Sequence, residues 1–133
     1  MWRVRFRRCA RVCKRHNERS MRVVRARRCL TKQTLFHEWA AALQFPGYFG
    51  DNWDAFEECL SEREWLPGDV HVVVLTEAHR ILEDQPAERP TLFGILRSVA
   101  DDAGERALRV LFQCAAADEQ ATRALLERER IRI

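Results

Sequence analysis

Leu66-Pro67-Gly68-Asp69, followed by Val70-His71-Val72-Val73-Val74-Leu75, is the stretch on which the fold turns. Its first four residues have the composition of a turn, because Pro presets one backbone angle and Gly tolerates conformations that other residues avoid. The next six form a nearly unbroken apolar run rich in β-branched side chains. A strand with one face in water alternates apolar and polar residues, whereas a run this continuous belongs to a strand covered on both faces, as in the middle of a parallel sheet. Residues 70–75 are therefore predicted to be the central strand.

On the N-terminal side, Val23 and Val24 mark a first strand over residues 21–27. Thr31 then stands as an N-cap, and Leu35, Trp39, Ala42 and Leu43 recur at helical spacing until Phe45-Pro46-Gly47 breaks the pattern. A second helix is predicted from about residue 51 to 61. Phe49, Trp53, Phe56 and Leu60 fall within about 60° on one side of it, with Asp51, Asp54, Glu58 and Glu62 opposite. The apolar stripe reads as core, so Trp53→Ala is expected to cost about 3–5 kcal/mol. Beyond the central strand, a short helix is expected at 77–82 and a loop bounded by Pro86 and Pro90. A helix carrying Leu92, Ile95, Leu96 and Val99 then closes at Gly104, a third strand covers 107–114, and an added helix covers 118–130. Strands separated by helices need crossover connections, hence parallel pairing with a right-handed path. The expected fold is α/β, with a small three-stranded parallel sheet packed with helices.

At 133 residues, 47% apolar and 32% charged, the chain suits one globular domain and not a disordered one. No apolar run approaches the roughly 20 residues of a membrane span, and the Arg-rich start lacks the apolar stretch of a secretory signal. A cytoplasmic protein is expected. Cys9, Cys13, Cys29, Cys59 and Cys114 are odd in number and contain no Cys-x-x-Cys pair, which favours reduced thiols over disulfides or zinc. His37, His71 and His79 show no ligand spacing, so neither a metal nor another cofactor is expected. Residues 1–28 hold twelve Lys or Arg against Glu18 alone, a charge of +11, while residues 29–133 hold eleven basic and nineteen acidic residues, a charge of −8. An acidic body suits a basic partner. For the basic segment 1–20 three readings stay open: a disordered arm, a strand-helix extension, or a mis-assigned start with Met21 as the true one.

The stretch Phe45-Pro46-Gly47-Tyr48-Phe49-Gly50-Asp51-Asn52-Trp53-Asp54-Ala55-Phe56-Glu57-Glu58-Cys59-Leu60 closely resembles the signature of the barstar family of intracellular ribonuclease inhibitors. The order of strands and helices agrees over residues 21–114, leaving 1–20 and 115–133 as extensions. The resemblance implies a barstar-like fold and a one-to-one complex of a monomer with an extracellular or toxin-type, barnase-like ribonuclease. The second helix and the loop before it would plug the enzyme's cleft. It further implies partner-binding roles for Tyr48, Asp51, Asp54, Glu57 and Glu58. Glu58 stands where the family's dominant carboxylate is an Asp, Glu57 where an interfacial Trp occurs, and Ser98 where a later Glu makes contact.

The physics of such a plug is simple. A ribonuclease cleft concentrates cations to hold phosphodiesters, and carboxylates on a rigid helix can occupy those phosphate positions. Long-range steering by complementary charge is the known behaviour of the barnase–barstar pair itself, and is carried over here from that pair. Two other classes compete. Asp54 and Glu58 one turn apart could serve an enzyme as a metal or acid–base pair, but no nucleophile set, phosphate loop or His-Glu-x-x-His motif accompanies them. The basic arm, with Trp2 and Phe6, could serve a nucleic-acid-binding adaptor, which the acidic body opposes.

Overall fold

The structure, a computed structural model, describes residues 3–5, 19–47, 49–62, 70–101 and 108–131. Its centre is one parallel sheet. The strands are β1 (Arg3–Arg5), β2 (Arg19–Arg25), β3 (Val70–Thr76) and β4 (Leu108–Gln113), in the spatial order β1-β4-β3-β2. The three strands expected from the sequence are β2, β3 and β4, with β3 in the middle. The fourth is short and comes from the basic segment, with Arg3 beside Leu111 and Arg5 beside Gln113. The turn at 66–69 and Gly104 lie outside the described residues.

Residues paired across a parallel sheet point to the same side, so register separates its two faces. Val24, Leu75 and Phe112 stand in one row, and Val73 and Val110 in the next. All five are buried, and they form the floor of the core. The helices α1 (Lys32–Leu43), α2 (Trp53–Glu62) and α3 (Arg89–Asp101) cover this front face. The rows between them point to the back: Met21 and Val23 of β2 are exposed, and Val72, Val74 and Leu111 are half-buried. The expectation of a central strand covered on both faces is thus met fully on the front alone.

Local chemistry explains most of the helix boundaries. Thr31 caps α1: its Oγ1 accepts from the Thr34 amide at 3.2 Å, while the Thr31 amide donates to Thr34 Oγ1 at 3.1 Å, a reciprocal capping box. Gln44, with φ 55°, turns the chain out of the helix. The stretch 77–82 is not the short helix expected but a single 3-10 turn, Ala78–Arg80. Glu77 and Leu82, both at φ 52°, bend the chain at either end of it. Pro90 does not bound a loop either. It sits in the first turn of α3, where its missing N–H leaves no helical bond unmade.

The added C-terminal helix, α4 (Glu119–Arg128), is built into the core through Leu125, Leu126 and the following Ile131. Arg97 of α3 donates to the Glu129 carbonyl and fastens the end of α4. No helix of the described residues is long and apolar enough to cross a membrane.

Cys29, fully buried just after β2, shows how burial becomes a measurable quantity. Its thiol donates to the Arg25 carbonyl at 3.4 Å. Burial first, and the Glu38 carboxylate second, push its pKa from 9.0 to about 12, against a smaller opposing effect of Arg25. Below pH 9 both folded and unfolded chains keep this proton and its contribution to stability is intact. As pH rises from 9 towards 12 only the unfolded chain ionises, and stability falls by up to about 1.4 kcal/mol per pH unit. Urea unfolding at pH 8 and pH 10.5 should therefore show a steeper alkaline loss in the parent protein than in Cys29→Ala.

Candidate functional site

The acidic ridge is built on α2, and the loop before α2 is held by rings. Phe45 and Phe49 meet edge-on at 5.0 Å, and Phe49 also packs edge-on against Phe36 of α1 at 5.8 Å. Main-chain bonds from Phe49 to the Pro46 carbonyl and from Phe45 to the Ala40 carbonyl, both 3.0 Å, fix the path of the backbone. Asp51 takes φ 48°, and Asn52 then caps α2, its Oδ1 accepting from the Ala55 amide at 2.8 Å. Asn52→Ala removes this acceptor and should cost about 1 kcal/mol of stability, read as a lowered unfolding midpoint.

The buried side of α2 carries Phe56, Cys59 and Leu60. Phe56 is fully buried among the rings of Phe36, Trp39, Phe45 and Trp53, at 5.3–6.0 Å between centroids. Trp53 lies on the expected side but is only half-buried. Its indole N–H reaches the rim and donates to Glu88 Oε2 at 2.9 Å. The large loss expected for Trp53→Ala therefore belongs to Phe56 instead, since a ring at the rim leaves a smaller void.

On the outer side, Asp51, Asp54, Glu58 and Glu62 are exposed and Glu57 is half-buried. Asp54 and Glu58 are one turn apart on the same strip of the helix. Among the described residues, Asp54, Glu57, Glu58 and Glu62 have no ion pair. Asp51 faces His37 of α1 at 3.7 Å, a contact open to solvent on both sides and so weak. The field of the ridge is visible at Cys59, whose thiol is pushed up by burial and then by the Glu58 and Glu62 carboxylates. Such a ridge offers free acceptors to guanidinium and ammonium donors and has Phe56 locked behind it. Among the described residues no cluster of three or more His, Cys, Asp or Glu could hold a metal ion.

Of the five residues expected to bind a partner, four are thus placed on or beside α2, and Tyr48 lies outside the described residues. Ser98 is exposed on α3, which packs beside α2. Reading the sequence missed Asn52 as the cap, although an Asn just before an apolar-periodic run is a known start signal. It also missed His37 and Glu88, whose nearness to the site depends on how distant segments fold together.

No curated protein matches the chain. The family model described as Barstar (barnase inhibitor) matches residues 19–116, from the first residue of β2 to the turn after β4. With well over half of its length matched, and with three parallel strands and their crossover helices in the corresponding order, the chain belongs to the barstar family.

Proposed function

We propose that this protein is an inhibitor, not an enzyme, and that as a cytoplasmic monomer it binds one basic, barnase-like ribonuclease. The observation that carries the reading is a row of exposed carboxylates on α2, without an ion pair among the described residues, in a chain of this family. Asp54 and Glu58 enter the cationic cleft, Asp51 and Glu57 flank them, and Tyr48, matching the family's loop aromatic, adds a contact with the enzyme. An acid with no ion pair among the described residues has no internal pair to break before it meets a guanidinium, so its charge-assisted bond is opposed by desolvation alone.

Titration into a barnase-like ribonuclease encoded beside this chain, with RNA cleavage as the readout, tests the proposal directly. Activity should fall linearly and vanish at one equivalent, and the association rate should drop steeply as salt is raised. Full cleavage at saturating protein, with a stable complex seen by sedimentation, would convert the reading to that of a binding adaptor.

A further inference from the structure

The starts of α1, α2 and α3 converge on Glu88. This residue ends a 3-10 turn, Pro86–Glu88, that leads directly into α3. The chain before it is stitched to the start of α1. The Leu82 amide donates to the Cys29 carbonyl at 2.7 Å, the Asp84 amide to the Leu30 carbonyl at 3.0 Å, and the Lys32 amide to Gln85 Oε1 at 2.7 Å. Glu88 thus stands on a platform tied to the main chain of its neighbour. Its carboxylate faces two ways: Oε1 lies 4.0 Å from the Lys32 ammonium of α1, and Oε2 accepts the Trp53 indole N–H of α2 at 2.9 Å.

Among the described residues, the bond to Trp53 is the only hydrogen bond between a side chain of α2 and another helix or turn. The rest of the hold on α2 is packing: Phe56, Cys59 and Leu60 along its buried side, and the Trp53 ring edge-on to Phe36 at 5.0 Å. Apolar packing is non-directional, so it sets the depth of a helix better than its roll, whereas a hydrogen bond weakens steeply off line. Roll matters for the ridge. Acidic side chains end about 6 Å from a helix axis, so a roll of about 20° carries them sideways by about 2 Å, while recognition sites must be held within about 0.5 Å or 10–20°.

We propose that Glu88 is a positioning residue for the acidic ridge: through the Trp53 indole it sets the roll of the first turn of α2, and so the direction in which Asp54 and Glu58 present their carboxylates. The proposal rests on the reading of that ridge as the ribonuclease-binding surface. Trp53 is the first residue of α2 and Asp54 the second, so a bond that fixes the indole acts on the turn that carries the first acid of the ridge. Lys32 beside Oε1 partly balances the charge of Glu88, which therefore serves as a strut and not as a further acid of the ridge. Geometry and charge can be separated, because glutamine offers the indole the same carbonyl-type acceptor without the charge and alanine offers none.

Residual dipolar couplings of the α2 amides in the free, full-length protein vary with the period of the helix, and the phase of that variation reports its roll. Glu88→Ala, and Trp53→Phe, which keeps a ring but lacks the donor, should each shift the phase by roughly 10° or more, the tolerance of such sites, and Glu88→Gln should not. Against a cognate ribonuclease, in buffer where every variant is folded, Glu88→Ala should dissociate about fivefold faster, the worth of one ordinary hydrogen bond, and Glu88→Gln should stay within about twofold of the parent. In a Trp53→Phe background Glu88→Ala should add less than about twofold, since the bond is already gone. An unchanged phase in Glu88→Ala overturns the proposal. So does an effect of Glu88→Ala that persists undiminished beside Trp53→Phe, or a Glu88→Gln as weak as Glu88→Ala, either of which makes Glu88 one more acid in contact with the enzyme. A phase shift in Glu88→Ala together with a parent that binds no ribonuclease upholds the role of Glu88 in orienting α2 and overturns the inhibitor reading alone.

Discussion

Glu58→Ala should weaken the complex with a cognate ribonuclease at least tenfold, chiefly through faster dissociation, while its urea midpoint stays close to that of the parent. The separation of the two effects follows from where the side chain sits. Glu58 is exposed and unpaired among the described residues, so its truncation removes no packing and leaves no buried partner stranded. Substitutions of that kind usually change folding by less than about 0.5 kcal/mol. In the proposed complex the same carboxylate is desolvated against cations, and removing one member of such a pair typically costs about 2–5 kcal/mol, much of it from the charge left behind on the enzyme. Asp54→Ala should behave likewise with a small additional loss of stability, because an acid in the first turn of α2 also complements the helix dipole. Surface plasmon resonance and denaturation on the same preparations give both readouts. If Glu58→Ala binds as tightly as the parent, the plug acts through Glu57 or the Tyr48 loop.

Phe56→Ala should produce the largest loss of stability of any single substitution in α2, about 3–5 kcal/mol. The ring is fully buried and touches four others, two from α1, one from the loop before α2 and one from α2 itself. Its removal leaves a void that rigid aromatic neighbours cannot collapse to fill, and the edge-to-face attraction between the rings disappears along with the buried area. Phe56→Leu, which retains most of the volume, should lose markedly less. Because Phe56 fixes the orientation of α2 against α1, Phe56→Ala should also weaken partner binding even where enough protein remains folded. Urea melts give the stability change, and affinities measured well below the midpoint give the second effect. Trp53→Ala is the internal comparison: half-buried and bonded to Glu88 at the rim, it should cost less than Phe56→Ala.

What the sequence by itself determined about this protein is what short-range periodicity encodes. The apolar run at 70–75 identified the central strand, Thr31 identified the start of α1, and the stripe of Phe49, Trp53, Phe56 and Leu60 identified which side of α2 turns inward and therefore that Asp54 and Glu58 turn outward. Each of these depends on neighbours within a turn or two of chain, and helix and strand geometry converts such spacing directly into a face. Pattern could not supply depth or pairing. Trp53 reads like Phe56 in the sequence, yet Glu88, thirty-five residues away, meets its indole at the rim and leaves it half-buried. Among the described residues the carboxylates of α2 have no ion pair, while Lys32 and Arg25 meet Glu88 and Glu38, partners that no local pattern names. Residues 70–75 signalled a strand covered on both faces, but only the register and the direction of the crossovers decide which face the helices occupy. Burial is a sum over segments distant in sequence, and no local window contains that sum.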